Sequence, residues 1–489
     1  MLAKAGRNRQ ALAMELHIVM EGSRDLAGQL YRQLSEAIRS GRLADGAQLP
    51  PTRLLAGQLG LSRKTVSQAY ARLSLDQLLV GKVGAGSYVQ APPAALPRPQ
   101  TIQDLASADM LRHWEELGKP LRKMKIASSR YEFVGGRSTP THFPAEDWRR
   151  CVLHGLRQEA LARGRYSPPE GIPALRQAIA HHASFSRGVL CGAGEVVVTN
   201  GAQQALDLLG RTLLAPGSVV AVEDPGYPPA RLIFSSHGAE VRSVPVDEEG
   251  MRVDLIPADA RLIYVTPAHQ FPLGMPMSMA RRAALLARAR DIGAIVIEDD
   301  YDSSFRYQGR ATDSLQSMDR HGIVAFVGTF SKVLGPELRL GYIVLPPAIQ
   351  SALLLVKRLS DWHTPTLSQH ALAKFIADGS LARHIRRCHA VYAARRARLQ
   401  TLFASELAPW FKLVPATAGY HLAALCVRPL DMELLVRVAH RADVGLYSLA
   451  QFYAEAPPLP GLFMGYGAID LLDIDIAIGR LREVLQQME

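Results

Sequence analysis

The chain has 489 residues, 48% of them hydrophobic and 21% charged, with a formal net charge of +11. That length holds two or three domains with their own cores; no apolar run reaches the ~20 residues of a membrane helix, and the first residues lack the apolar core of a secretory signal. The cysteines, Cys151, Cys191, Cys388 and Cys426, stand far apart without a CxxC pair, so neither disulfides nor a metal site are expected, and a reducing cytoplasm is.

Residues 1–90 carry twelve Lys/Arg against six Asp/Glu. A module this basic points to a polyanion partner, with a merely solvated basic face as the alternative. "LAGQLYRQLSEAIRS", 26–40, spaces Leu26, Leu30, Leu34 and Ile38 four apart, which predicts a helix with one apolar stripe and Gly41 at its end. "LPPTRLLAGQLG" predicts a short helix with Leu54, Leu55 and Leu59 as its apolar residues and Gly60 ending it. "LSRKTVSQAYARLSLDQLL" starts a further helix at the cap Ser62, with Val66, Ala69, Tyr70 and Leu73 inward. Two short helices joined by so tight a turn fit a helix-turn-helix. "LLVGKVGAGSYV" then reads as two β runs around a glycine turn, a wing.

"APPAALPRPQ" opens a proline-rich linker that runs to about residue 130, with a partly helical pattern at 101–130. From there short apolar runs alternate with helical segments: "EVVVTN", "SVVAVED", "RLIYVTP", "AIVIEDD" and "GIVAFVGTF". Such alternation predicts an α/β domain with a mostly parallel sheet covered on both faces. Residues from about 370 to 489 read as a smaller α+β lobe containing "YHLAALCV" and "GLFMGYGA". The expected division is 16–90 for a DNA-binding domain, 91–130 for a linker and 131–489 for the α/β domain.

"GTFSKVLGPELRLGY" sets Lys332 just past an apolar strand, where sheets of this class place their ligands. A lysine amine attacks an aldehyde only when its neutral form is available. "AIVIEDDYDSSFRY" ends a strand in acids and Tyr301; a carboxylate there, Asp299, suits a protonated ring nitrogen. "VTNGAQQAL" runs strand, glycine, helix start, a phosphate-binding arrangement that Arg339 and the hydroxyls of Thr329 and Ser331 would reinforce. Tyr227 in "EDPGYPPA" offers an aromatic face to a ring. Each of these has an ordinary structural alternative when taken singly; their order on one sheet is what argues for a site.

Residues from about 130 onward resemble a fold-type-I aminotransferase domain, the kind that carries pyridoxal 5′-phosphate. "LPPTRLLAGQLGLSRKTVSQAYARL…GAGSYV" resembles the GntR-type winged helix, and the two in this order resemble the MocR/GabR-type transcription regulators. "TPAHQFPLG", "IEDDYDSSFRY" and "GTFSKVLGPELRLGY" carry that resemblance most closely. It implies that Lys332 forms the internal aldimine, Asp299 pairs with the pyridine nitrogen, Tyr301 bonds the ring hydroxyl and Tyr227 stacks on the ring. Gly201, Ala202, Gln203, Thr329 and Arg339 would hold the phosphate. On the DNA side it implies Arg53, Ser62, Arg63, Lys64, Thr65 and Ser67 at the duplex, with Arg63 the guanine reader. Lys82, Gly84 and Gly86 would carry the wing to the backbone.

The resemblance further implies a homodimer, with the winged helix of one chain against the aminotransferase domain of the other. Two positions depart from working aminotransferases: Phe271 stands where their Asn-Pro-x-Gly turn has Asn, and Leu462 aligns with the arginine that clamps a substrate carboxylate. The expected function is therefore a regulator that senses an amine or amino compound through aldimine exchange at Lys332, binding operator DNA with little or no turnover. The alternatives are a regulator of vitamin B6 synthesis that senses pyridoxal phosphate itself, and an active aminotransferase with an accessory DNA-binding domain.

Overall fold

The computed structural model describes residues 18–20, 22, 24–82, 86–91, 108–119, 129–138, 142–308 and 314–489. Its contacts divide into two units, Met1–Leu111 and Arg112–Glu489. The division falls inside the segment read as linker, where a helix, Ala108–Leu117, crosses it; most of the rest of that segment lies outside the described residues.

The first unit contains helices Leu26–Arg39, Thr52–Leu59 and Arg63–Leu75, followed by antiparallel strands Leu79–Lys82 and Gly86–Val89. Leu30, Leu34, Ile38, Leu55, Val66, Ala69, Tyr70 and Leu73 close a single core. Gly60 ends the second helix in the left-handed region at φ 65°, where a glycine costs least. Leu55 and Ala56 form the buried face of that short helix, and Leu54 is exposed. A third strand, Gln48–Leu49, pairs antiparallel with the second wing strand. It is too short to show any alternation in the sequence.

The second unit is built on an eight-stranded sheet. In spatial order its strands are Val196–Thr199, Gly341–Val344, Val324–Thr329, Ile295–Asp300, Ala260–Val265, Val219–Asp224, Glu240–Asp247 and Gly250–Met251. Gly341–Val344 runs antiparallel to both neighbours, and Gly250–Met251 to its one; the remaining pairings are parallel. Alternate residues feed cores on opposite faces. Val197, Val220, Val222, Leu262, Ile297 and Val327 pack on one. Val219, Ala221, Ile263, Val296 and Val324 pack on the other. Burial on both faces is why these strands read as continuous apolar runs.

The C-terminal lobe carries a four-stranded antiparallel sheet of Phe411–Leu413, His421–Cys426, Gly461–Gly465 and Tyr447–Ser448, with long helices Ser380–Ser405 and Leu471–Gln487. Tyr131–Glu132 pairs in parallel with Val444–Gly445, so the start of the α/β domain is tied to its end. Among the described residues no helix is long and apolar enough to cross a membrane.

Candidate functional site

The parallel strands of the large sheet release their carboxyl ends toward one cavity of about 450 Å³. Lys332, Asp299, Tyr301, Tyr227, Ala202, Gln203, Thr329 and Arg339 all line it. Gly201 stands beside them: at φ +80°, a Cβ there would lie 3.0 Å from the Arg339 guanidinium, so the close approach needs a glycine.

Lys332 belongs to the short helix Ser331–Leu334 that follows the Val324–Thr329 strand. Its Nζ donates to Gly136 O at 3.3 Å. Burial pushes its ammonium below the usual lysine range; Asp302 and Asp299 oppose that shift, and Arg339 adds to it. The neutral amine is thus more accessible than on a surface lysine.

Asp299, 5% exposed, is the next-to-last residue of the Ile295–Asp300 strand. Its Oδ2 accepts from the Tyr264 hydroxyl at 2.7 Å, while Oδ1 is buried with no partner among the described residues. Burial raises its pKa to about 6, against the lowering effect of the Tyr264 hydrogen bond. A buried carboxylate oxygen left unpaired is costly unless something else meets it.

At the other end of the cavity the helix Gly201–Leu213 begins without a side-chain cap, so its first N–H groups remain open to an anion. Arg339 takes up the same corner. Its backbone is left-handed, φ 48° and ψ 43°, and its Nη2 donates to Asn200 O at 3.1 Å. A non-glycine residue in that region is sparsely populated and marks a constrained position. Ser331 adds a buried Oγ with no partner among the described residues, and Thr329 Oγ1 accepts from Ser331 N at 3.1 Å. Tyr227 meets the Phe271 ring edge-to-face at 5.5 Å. The Tyr301 hydroxyl donates to His269 O at 2.9 Å.

Several cavity residues have no signal in the sequence pattern. Tyr264 is one of the alternating residues of an apolar strand. His269, Asp302 and His421 form a buried cluster whose ligand atoms lie within 4.8 Å of one another. In it His269 Nδ1 meets Asp302 Oδ1 at 2.8 Å, and His421 Nδ1 stands 3.7 Å from Asp302 Oδ2. Gly136 comes from a segment distant in sequence. The alignment of Leu462 with a carboxylate-clamping arginine is corrected by the strand Gly461–Gly465. Leu462 turns into the main core, and its neighbour Phe463 lines the cavity, because successive side chains of a strand face opposite ways.

In the first unit Arg53, Arg63, Lys64, Ser67 and Lys82 are exposed. Arg63, Lys64 and Ser67 share the start of the Arg63–Leu75 helix. Ser62 is exposed as well, but its Oγ accepts from Thr65 N at 3.1 Å and lies 2.7 Å from Thr65 Oγ1. Both hydroxyls therefore hold the helix start. Lys82 Nζ sits 4.8 Å over the Tyr88 ring. Gly86 has φ +114°, and a Cβ there would approach Gln48 Nε2 at 2.7 Å. Gly84 lies outside the described residues.

Comparison with known proteins agrees with both halves. Residues 26–89 match the bacterial regulatory proteins of the gntR family, and residues 123–454 match aminotransferase class I and II. The chain is 34% identical to the probable rhizopine catabolism regulatory protein MocR of Rhizobium meliloti, over 94% of each chain. It is 31% identical to the HTH-type pyridoxine biosynthesis transcriptional regulator PdxR of Corynebacterium glutamicum, over 90% of this chain and 92% of that one. Among solved structures, the α-aminoadipate aminotransferase LysN of Thermus thermophilus, complexed with N-(5′-phosphopyridoxyl)-L-leucine, is 28% identical with a TM-score of 0.67. That match covers 77% of this chain and 94% of LysN.

Proposed function

We propose that this chain, which belongs to the MocR-type transcription regulators, reads an amine through pyridoxal 5′-phosphate held at Lys332 and passes the result to DNA. The observation that carries the reading is the buried, unpartnered Oδ1 of Asp299, set in the same cavity as a partly desolvated lysine. The donor set fits this cofactor. Asp299 suits the protonated ring nitrogen, which makes the ring an electron sink when bound. The open helix start at Gly201, Ala202 and Gln203, with Thr329, Ser331 and Arg339, suits the phosphate. Tyr227 offers its face to the ring, and Tyr301 its hydroxyl to the ring oxygen. Lys332 supplies the covalent link. Bound there, the cofactor would supply an aldehyde carbon that Lys332 Nζ and an amine could each hold by a C–N bond.

On the DNA side, Arg63, Lys64 and Ser67 would enter the major groove, with Arg63 matched to guanine O6 and N7. Arg53, Lys82 and Gly86 would lie along the backbone. Ser62 and Thr65 would serve that surface by fixing the helix start. The division 16–90, 91–130 and 131–489 follows the two functions. We assign the protein to the cytoplasm, as a regulator that binds chromosomal DNA.

A homodimer is supported by an exposed apolar patch. Leu355 and Leu359 lie on the Pro347–Asp361 helix and Trp362 just past its end, with the Tyr166 ring 5.1 Å from that of Trp362 and tilted by 39°. Large apolar side chains left together on a surface mark an association site.

Borohydride reduction of the cofactor-treated protein followed by peptide mapping should place the label on Lys332; a label on another lysine overturns the assignment. Operator binding measured with pyridoxal phosphate alone and then with amines separates amine sensing from the second regulator reading, which the likeness to PdxR favours. Sustained transamination with any common amino donor would establish an enzyme instead.

A further inference from the structure

Among the described residues, one side of the cavity has no cationic side chain. Among the described residues that line it, the cationic side chains are Lys332 and Arg339. Arg339 lies against Gly201 and Asn200, in the corner of the helix start. Lys332 is taken by the cofactor link. The opposite wall is aromatic. Phe271 packs edge-to-face on Tyr301 at 5.9 Å and meets Phe463 at 5.5 Å, and Phe463 lies 4.7 Å from the His421 ring. Phe452 backs both phenylalanines at 5.1 Å.

His421 does not supply the missing charge. It is buried in that wall, and its pKa lies well below the ordinary histidine range; burial is the main cause, and His269 and Lys332 add to it. Its Nε2 has no hydrogen-bond partner among the described residues. An acid side chain stands on that side: Asp302 lines the cavity, and its Oδ2 is buried with no hydrogen-bond partner among the described residues. A carboxylate brought here would lose its water to phenyl rings, beside the oxygens of an acid side chain and, among the described residues, with no cation to meet it. A phenyl or alkyl group would instead exchange water for dispersion contacts.

We propose that the amine selected by this cavity has an apolar, ring-sized body and no carboxylate, seated against Phe271 and Phe463. His421 Nε2 and the Tyr420 hydroxyl, both without a hydrogen-bond partner among the described residues, are neutral polar groups on its lining. This assignment deepens the reading of the cavity as an amine sensor and rests on it.

The test pairs two probes that share a body: phenethylamine and L-phenylalanine differ by the carboxylate. The full chain is loaded with pyridoxal phosphate, and two readouts follow each amine: the shift in the cofactor's visible absorbance, and the loss of borohydride label from Lys332. Phenethylamine is expected to act at a concentration at least ten-fold below that of L-phenylalanine. Phe463→Arg should narrow or reverse that ratio. L-Phenylalanine acting as well as phenethylamine on the unmodified chain overturns the proposal, as does no response to either. A chain that shows no cofactor absorbance and no labelled Lys332 before any amine is added refutes the cofactor reading itself.

Discussion

A carboxylate buried at a strand end with one oxygen unpaired works against the fold that holds it. Asp299 has its pKa raised to about 6, mainly by burial. A raised carboxyl pKa contributes stability that is full below about pH 4 and lost as the pH rises through the folded value. Asp299→Asn should therefore stabilise the cofactor-free chain by about 1–3 kcal/mol at neutral pH and by nothing below about pH 4. Tyr264 can still donate to the amide oxygen. The same variant should release pyridoxal phosphate on gel filtration where the unmodified chain retains it. Thermal unfolding of the cofactor-free protein across pH checks the first outcome, and a variant less stable at neutral pH would mean that Asp299 is structural. Gly201 gives a second expectation at this scale. Gly201→Ala adds a methyl 3.0 Å from the Arg339 guanidinium on a backbone at φ +80°. Phosphate affinity should fall at least ten-fold by fluorescence titration, with Lys332 still able to take the label at high cofactor concentration.

The helix Arg63–Leu75 separates two roles that its first turn combines. Ser62 caps it, so Ser62→Ala should lower the stability of the N-terminal unit by about 1 kcal/mol. Arg63→Ala leaves the cap in place and should weaken specific operator binding by about 1–3 kcal/mol while non-specific binding changes less. Fluorescence anisotropy with specific and scrambled duplexes distinguishes them; unchanged specificity in Arg63→Ala would move the reading residue elsewhere. This helix was legible in the sequence because a cap and an apolar stripe agree there, just after the glycine that ends the helix before it. The strands that carry Asp299 and Thr329 were legible for a related reason: burial on both faces makes an apolar run, and the site follows each run directly. What stayed hidden depends on pairing between distant segments. Nothing in "GYIV" shows that Gly341–Val344 runs antiparallel between two other strands. The choice between Leu462 and Phe463 is one of strand parity, which only the pairing of Ala423 with Phe463 and Ala424 with Leu462 settles. The cluster of His269, Asp302 and His421 joins two lobes, and no local spacing reports it.

For the whole molecule, the surface around Tyr166 and Trp362 decides whether the chain works singly. Leu359 is 74% exposed and Tyr166 is 77% exposed, and both stand beside Leu355 and Trp362. Burying such groups contributes roughly 25 cal/mol per Å² of apolar surface removed from water. Leaving them wet in a monomer forgoes that gain and invites aggregation. A second copy of the chain can cover its own patch through a two-fold axis, because an isologous contact presents the same residues from both sides. Sedimentation at micromolar concentration should therefore give a dimer. Leu359→Glu places two like charges at the centre of that contact and should shift the equilibrium to monomer by at least ten-fold in dissociation constant. Operator binding then supplies an independent reading. A dimer presents two basic recognition helices and neutralises more phosphates, so the dependence of affinity on salt is steep. The Leu359→Glu chain, with the N-terminal unit unaltered, should show about half that slope together with weaker binding. A monomeric unmodified chain, or a variant with an unchanged slope, would show that this patch has another use.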